Sequence, residues 1–156
     1  HKVAYITLSP RADETLAREW CKKNKFFPMI FETQSHTGSP IYHTDVLMYV
    51  GTGMIGICLE VITEKYRDQV ESMVRQHHDI MEIETSQLFS FCGNSLEVLN
   101  KKNEAFLVMS SESESSLTDI QREKIAKHYK KIIHSDLSTI EKYGGGSARC
   151  MVSELF

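Results

Sequence analysis

The chain has no excess of one charge sign. Its 18 Lys and Arg against 21 Asp and Glu give a formal net charge of -3 over 156 residues, and the basic residues are scattered. No basic face for nucleic acid is expected. No apolar run approaches the roughly 20 residues of a membrane span; the most apolar stretch, Gly51 to Ile62, is short and broken by glycine, so no membrane partner is expected. The four cysteines, Cys21, Cys58, Cys92 and Cys150, show no CxxC pairing, which argues against a zinc ribbon or a thioredoxin-type dithiol. Four free thiols in a reducing, cytoplasmic setting are expected. The chain opens at His1 without an initiator methionine or a charged-then-apolar leader, and is expected to be a piece of a longer polypeptide.

What is present is an alternation of strand-like and helix-like segments. KVAYITL reads as a strand, and Ser9–Pro10 as a helix start whose apolar face carries Leu16, Ala17, Trp20 and Cys21. FFPMIFE reads as a strand with Pro28 at its start or on an edge. DVLMYVG and MIGICLEVI read as two strands joined through Gly-Thr-Gly. Residues 64–78 are helical, with Tyr66, Val70, Met73 and Val74 on one stripe, followed by a short strand, IMEIE. QLFSFCGN, SLEVLN and EAFLVMS read as three further strands, and SSESESS as a linker. Thr118 with Gln121 forms a capping box opening a helix to about His134. Ser138 with Glu141 forms a second box, with Gly144 closing that short helix before a last strand, ARCMVSELF. This order predicts an α/β fold, with 41% apolar residues for its core, built from repeated ββαβ units.

Two stretches carry candidate chemistry. In GGGSARCM, three glycines and Arg149 lead into Cys150. Glycine permits close backbone approach of a ligand, while free peptide N–H groups and the Arg149 charge favour a thiolate. The plainer alternative is a buried cysteine after a glycine hinge. In PIYHTDV, His43 and Asp45 stand two apart, on the same side of an extended backbone. The imidazole can move protons near neutral pH and the carboxylate can grip a planar guanidinium. An ordinary loop histidine beside a solvated aspartate is the alternative. So is two thirds of a facial iron triad completed by His128 or His134, which the helical content disfavours.

Taken together and in this order, PIYHTDVLM, LFSFCGNSLEV and GGGSARCM resemble the guanidino-group-modifying superfamily of arginine deiminases, dimethylarginine hydrolases and amidinotransferases, nearest its citrulline-utilisation hydrolase branch. The resemblance implies a pentein α/β propeller of five ββαβ modules. It also implies Cys150 as nucleophile, His43 as general acid/base, Asp45 binding the guanidinium, and Gly145 and Gly146 admitting the substrate. No metal or other cofactor is implied; the substrate is a small cationic or zwitterionic amino acid, with hydrolysis or amidine transfer as the reaction. The family's second guanidinium-binding carboxylate, near a Glu-Gly-Gly segment, has no counterpart before His43: Asp13 and Glu14 fall in a helical stretch. Residues 1–156 therefore resemble the C-terminal half of one catalytic domain, about half of the ring. Pairing with the other half or with a second copy is expected.

Overall fold

The computed structural model describes residues 2–153. Strand β1 (Val3–Thr7), helix α1 (Glu14–Asn24) and β2 (Phe27–Phe31) form a parallel βαβ unit, with Val3 opposite Phe27 and Thr7 opposite Phe31. A single helical turn, α2 (Thr44–Leu47), leads into β3 (Met48–Val50), β4 (Met54–Ile57), α3 (Glu64–Arg75) and β5 (Asp79–Glu82). Here β3 and β4 pair antiparallel, and β4 and β5 pair parallel across α3. After α4 (Thr85–Leu88) the pattern recurs: β6 (Leu96–Leu99) and β7 (Ala105–Ser110) pair antiparallel, α5 (Ser111–Ser115) and α6 (Asp119–His128) follow, and β8 (Lys131–Ser135) pairs parallel with β7. Helix α7 (Ser138–Gly144) and a 3-10 turn (Arg149–Met151) complete the described chain. The repeated ββαβ unit anticipated from element order is present twice in full.

The three small sheets share one core. Phe31, Leu47, Met54, Ile55, Ile57, Ile62, Met81 and Leu107 are fully buried, together with Val70 and Val74 from α3. Tyr66 and Met73 pack against this core from the same helix face, as the stripe predicts. The Gly51–Met54 hydrogen bond of 3.0 Å closes the anticipated hairpin, and Thr118 and Gln121 form the anticipated capping box.

Several elements differ from the sequence reading. Helix α1 starts at Asp13, whose carboxylate accepts the Leu16 N–H at 2.9 Å, and not at Ser9–Pro10. Because α1 covers a sheet of only two strands, Cys21 alone is buried, while Leu16 and Trp20 are 67% and 52% exposed; Trp20 leans instead on the Phe26 ring. Asp45–Leu47, read as the start of a strand, belongs instead to the helical turn Thr44–Leu47. Residues 87–94, also read as strand, form the end of α4 and a tight turn. SSESESS is no linker: the Ser110 hydroxyl accepts the Ser113 N–H at 3.1 Å and caps α5. Helix α6 stops at His128 because Lys131–Ser135 satisfies the free edge of β7. The Ser138–Glu141 box does not form. Asp136 accepts the Ser138 N–H at 2.9 Å, and Gly145, at φ 68°, takes the left-handed position assigned to Gly144. The last strand, 148–156, is replaced over Arg149–Met151 by the 3-10 turn, and Val152 and Ser153 are not in a strand; residues 154–156 lie outside the described residues.

Burial also fixes a pH response. Desolvation raises the thiols of Cys58 and Cys92 and the phenols of Tyr49 and Tyr129 above their ordinary values. The fold thus holds four neutral groups that the unfolded chain ionises more readily. Their stabilising contribution is complete below the ordinary thiol value of about 8.5 and is lost as pH rises beyond it. The urea midpoint is expected to fall between about pH 7.5 and 10.5; a midpoint constant over that range contradicts this account.

Candidate active site

The His43–Asp45 segment is anchored from the first sheet. At the end of β1 the Thr7 N–H donates to the Thr44 hydroxyl at 3.0 Å. The Ser9 hydroxyl donates to the Tyr42 carbonyl at 2.9 Å. The buried Thr33 hydroxyl, 2.9 Å from that of Thr7, accepts the Ile41 N–H at 3.0 Å. These bonds deliver the segment to the rim of the molecule, where His43 flanks α2 with extended dihedrals (φ -134°, ψ 140°) and is exposed. Asp45 lies inside the helical turn and is half-buried. The two side chains therefore do not share one side of an extended strand, as their spacing suggests; the change from extended to helical backbone at Thr44 separates their directions.

Cys150 comes from the other end of the chain. It is exposed, whereas Cys21, Cys58 and Cys92 are buried, and all four are free thiols. The Tyr42 hydroxyl reaches the Gly145 carbonyl at 3.5 Å, joining the histidine segment to the glycine loop across 103 residues. Gly146 passes so close to Cys150 that a Cβ there would lie 3.0 Å from both its Cβ and its Sγ. Gly145 is needed instead for its left-handed φ of 68°, since a Cβ there meets nothing within 4 Å.

A cleft of about 240 Å³ results, and all five candidate residues, His43, Asp45, Gly145, Gly146 and Cys150, line it. Arg149 does not: its peptide N–H is bonded to the Asn94 carbonyl at 3.2 Å, and no side chain of Arg149 lines the wall.

The sequence reading did not single out Arg11 or Asn94, which also line the cleft. Arg11 lies over the Tyr42 ring, 5.1 Å from its centroid. Asn94, 3% exposed, donates its side-chain N–H to Cys150 Sγ at 3.3 Å and to the Asp45 carbonyl at 3.2 Å. Its side-chain oxygen accepts the N–H groups of Ser147 at 3.2 Å and Cys150 at 3.4 Å. The only local signal for Asn94 is its place in the FCGN turn, which the strand assignment concealed.

That turn is built under strain. Phe91 adopts φ 61°, where a bulky side chain is rarely found. Gly93 follows because a Cβ there would stand 2.2 Å from the Val46 carbonyl oxygen. Gly93→Ala is expected to cost about 1–3 kcal/mol, read as a lower denaturation midpoint, because the obstacle is backbone and cannot rotate away. An unchanged midpoint contradicts that contact.

The facial iron triad is not assembled. His128 sits 2.9 Å from Asp79 and His134 sits 3.0 Å from Ser111. Among the described residues there is no group of three or more His, Cys, Asp or Glu placed to hold a metal ion. No helix among them is long and apolar enough to cross a membrane.

Repeated ββαβ units with a cysteine, a histidine and an aspartate gathered at one cleft define a pentein-type α/β protein of the guanidino-group-modifying superfamily. The family model described as "N,N dimethylarginine dimethylhydrolase, eukaryotic" matches residues 1–156, and the chain belongs to that family. No curated protein matches it by sequence. Among solved structures the chain is similar to apo ArgZ, an arginine dihydrolase from the ornithine–ammonia cycle in cyanobacteria, with a TM-score of 0.73 at 16% identity over 99% of this chain and 23% of that one. It is similar to the N-terminal domain of an ArgZ variant covalently bound to a reaction intermediate (TM-score 0.72, 16% identity, 96% of this chain and 50% of that one). It is also similar to unliganded AgrE (TM-score 0.73, 13% identity, 96% and 20%). The chain thus spans between a fifth and a half of the length of the structures it matches.

Proposed function

We propose that this site is that of a cysteine-dependent hydrolase acting on the guanidino or ureido C–N bond of arginine, an arginine derivative or citrulline. The observation that carries the reading is the meeting of Cys150 with His43 and Asp45 in one cleft, in a chain matched along residues 1–156 by a dimethylarginine hydrolase family. The similar structures add weight: one is of an arginine dihydrolase, and another is of its N-terminal domain covalently bound to a reaction intermediate.

In this mechanism the Cys150 thiolate attacks the central carbon of the planar head group. His43 protonates the departing amine as the C–N bond breaks, leaving a covalent thiouronium-type adduct. His43 then takes a proton from water, whose oxygen adds to the same carbon, and the C–S bond breaks to return the thiolate. Asp45 accepts the N–H groups of the head group, and Gly146 leaves room beside the sulfur. Arg11, braced on Tyr42, offers a guanidinium to the carboxylate of an amino-acid substrate. Nucleophile and proton carrier both belong to the chain, so the cycle needs no cofactor. We read residues 1–156 as the C-terminal part of one pentein catalytic domain, completed by further modules or a second copy; the two full and one partial repeat support this.

The test is intact-mass and peptide mapping after exposure to 2-chloroacetamidine, a guanidinium mimic, with arginine, dimethylarginine and citrulline as competitors. One adduct on Cys150, blocked by one of the three, is the expected result. Labelling spread over the cysteines, or absent from Cys150, overturns the reading and leaves a binding or assembly domain. Product analysis with and without an acceptor amine separates hydrolysis from amidine transfer.

A further inference from the structure

We propose that Asn94 is a catalytic residue of this site: its side-chain N–H donates to the Cys150 sulfur, the reacting atom, and ties it to the His43–Asp45 turn. Only the consequence for turnover rests on the hydrolase reading above; the contact itself does not.

The orientation of the amide is determined by its surroundings. Two backbone N–H groups, those of Ser147 and Cys150, point at one atom of the Asn94 head group at 3.2 and 3.4 Å. Donors face acceptors, so that atom is oxygen and the other is nitrogen. The amide nitrogen carries two hydrogens and finds two acceptors, the Asp45 carbonyl at 3.2 Å and Cys150 Sγ at 3.3 Å. A neutral thiol accepts hydrogen bonds weakly, whereas a thiolate accepts them strongly. A fixed donor aimed at the sulfur is therefore placed to bond it most strongly while it attacks as the anion.

Everything around Asn94 keeps the donor in place. It is buried at 3% exposure, and its own N–H and C=O are bonded to the Phe91 carbonyl at 2.9 Å and the Arg149 N–H at 3.2 Å. Behind the loop, the Ser147 hydroxyl donates at 2.6 Å to the buried carboxylate of Glu141. The charged and titratable groups sharing the cleft with the sulfur are Arg11, His43 and Asp45, with Tyr42; Arg149 adjoins it in sequence. Among the described residues, Asn94 is the one side chain hydrogen-bonded to Sγ.

The test compares the wild-type chain with Asn94→Asp by the rate at which iodoacetamide alkylates Cys150 as a function of pH, read by peptide mapping. The aspartate keeps an oxygen for the Ser147 and Cys150 N–H groups, so the loop anchor survives, but it replaces the donor with a negative charge. Alkylation near neutral pH is expected to slow by roughly 10- to 100-fold, the worth of a hydrogen bond to a charged group, with the profile displaced to higher pH. An unchanged rate and profile overturns the proposal and leaves Asn94 a purely structural anchor. Should the variant fail to fold, NMR of the wild-type chain decides: the Asn94 side-chain NH₂ signal is expected to move as Cys150 titrates and to stay still in Cys150→Ala. A signal that does not follow Cys150 overturns the proposal equally. Iodoacetamide is neutral and needs no guanidinium site. If Asn94 governs alkylation while 2-chloroacetamidine fails to label Cys150, the hydrolase reading and the role in turnover fail, and the hold of Asn94 on the sulfur stands.

Discussion

Cys150→Ala is expected to remove turnover by on the order of 10⁴-fold or more and to abolish the 2-chloroacetamidine adduct. The proposed covalent route needs a nucleophile, and among the described residues no other thiol lines the cleft: Cys21, Cys58 and Cys92 are buried, and burial raises the thiols of Cys58 and Cys92 towards the neutral form. The fold should scarcely notice. Cys150 is exposed, and its loop remains anchored through Ser147, Arg149 and Asn94, so a surface-scale change within about 0.5 kcal/mol is expected. Turnover and thermal denaturation measured on one preparation separate the two effects. A variant that still turns over would move the chemistry away from Cys150; one that melts far below the wild type would make the cysteine structural.

His43→Ala is expected to lower kcat by about 10²- to 10⁴-fold, the usual worth of a positioned acid/base, with KM little changed. The direction follows from the assigned role. In the proposed mechanism the imidazole protonates an amine that leaves poorly as an anion, and later takes a proton from water; neither step strengthens ground-state binding. Its exposed position and its edge-on contact with the Tyr42 ring, 4.8 Å between centroids, give it little part in the core. A substrate whose leaving group departs without protonation provides the control. It should recover most of the first-step rate in the variant, read as the burst of adduct formation. An equal loss for both kinds of substrate means that His43 serves binding or structure, and not proton transfer.

How far the sequence reaches is plain from particular elements. Period-2 and period-3.6 apolar patterns sufficed for β1, β2, the β3–β4 hairpin and the Val70–Val74 face of α3, because each is specified by burial of its own side chains. Thr118 and Gln121 announced α6, since a capping box closes within four residues. The candidate residues were legible through the resemblance that PIYHTDVLM, LFSFCGNSLEV and GGGSARCM carry in this order; their spacing alone left a buried cysteine and an ordinary loop histidine open.

The errors lie where a partner distant in sequence decides. Lys131–Ser135 follows a strong helix and reads as its continuation; the unpaired edge of β7 makes it a strand. Asp45–Leu47 reads as the start of a strand, yet the Thr44 hydroxyl before it is held by the Thr7 N–H and the backbone turns there. Leu16 and Trp20 lie on a patterned helix face but stay exposed because the sheet beneath α1 has only two strands. Asn94 shows the limit most sharply. An asparagine in a turn says nothing by itself; its meaning comes from Asp45, 49 residues before it, and Cys150, 56 residues after it. Element order determined that this chain is α/β, and the resemblance carried by its motifs pointed to the thiol and imidazole to watch. Only the tertiary structure decided that they share a cleft and which amide faces the sulfur, because hydrogen bonds between remote segments leave no periodic trace in the sequence that makes them.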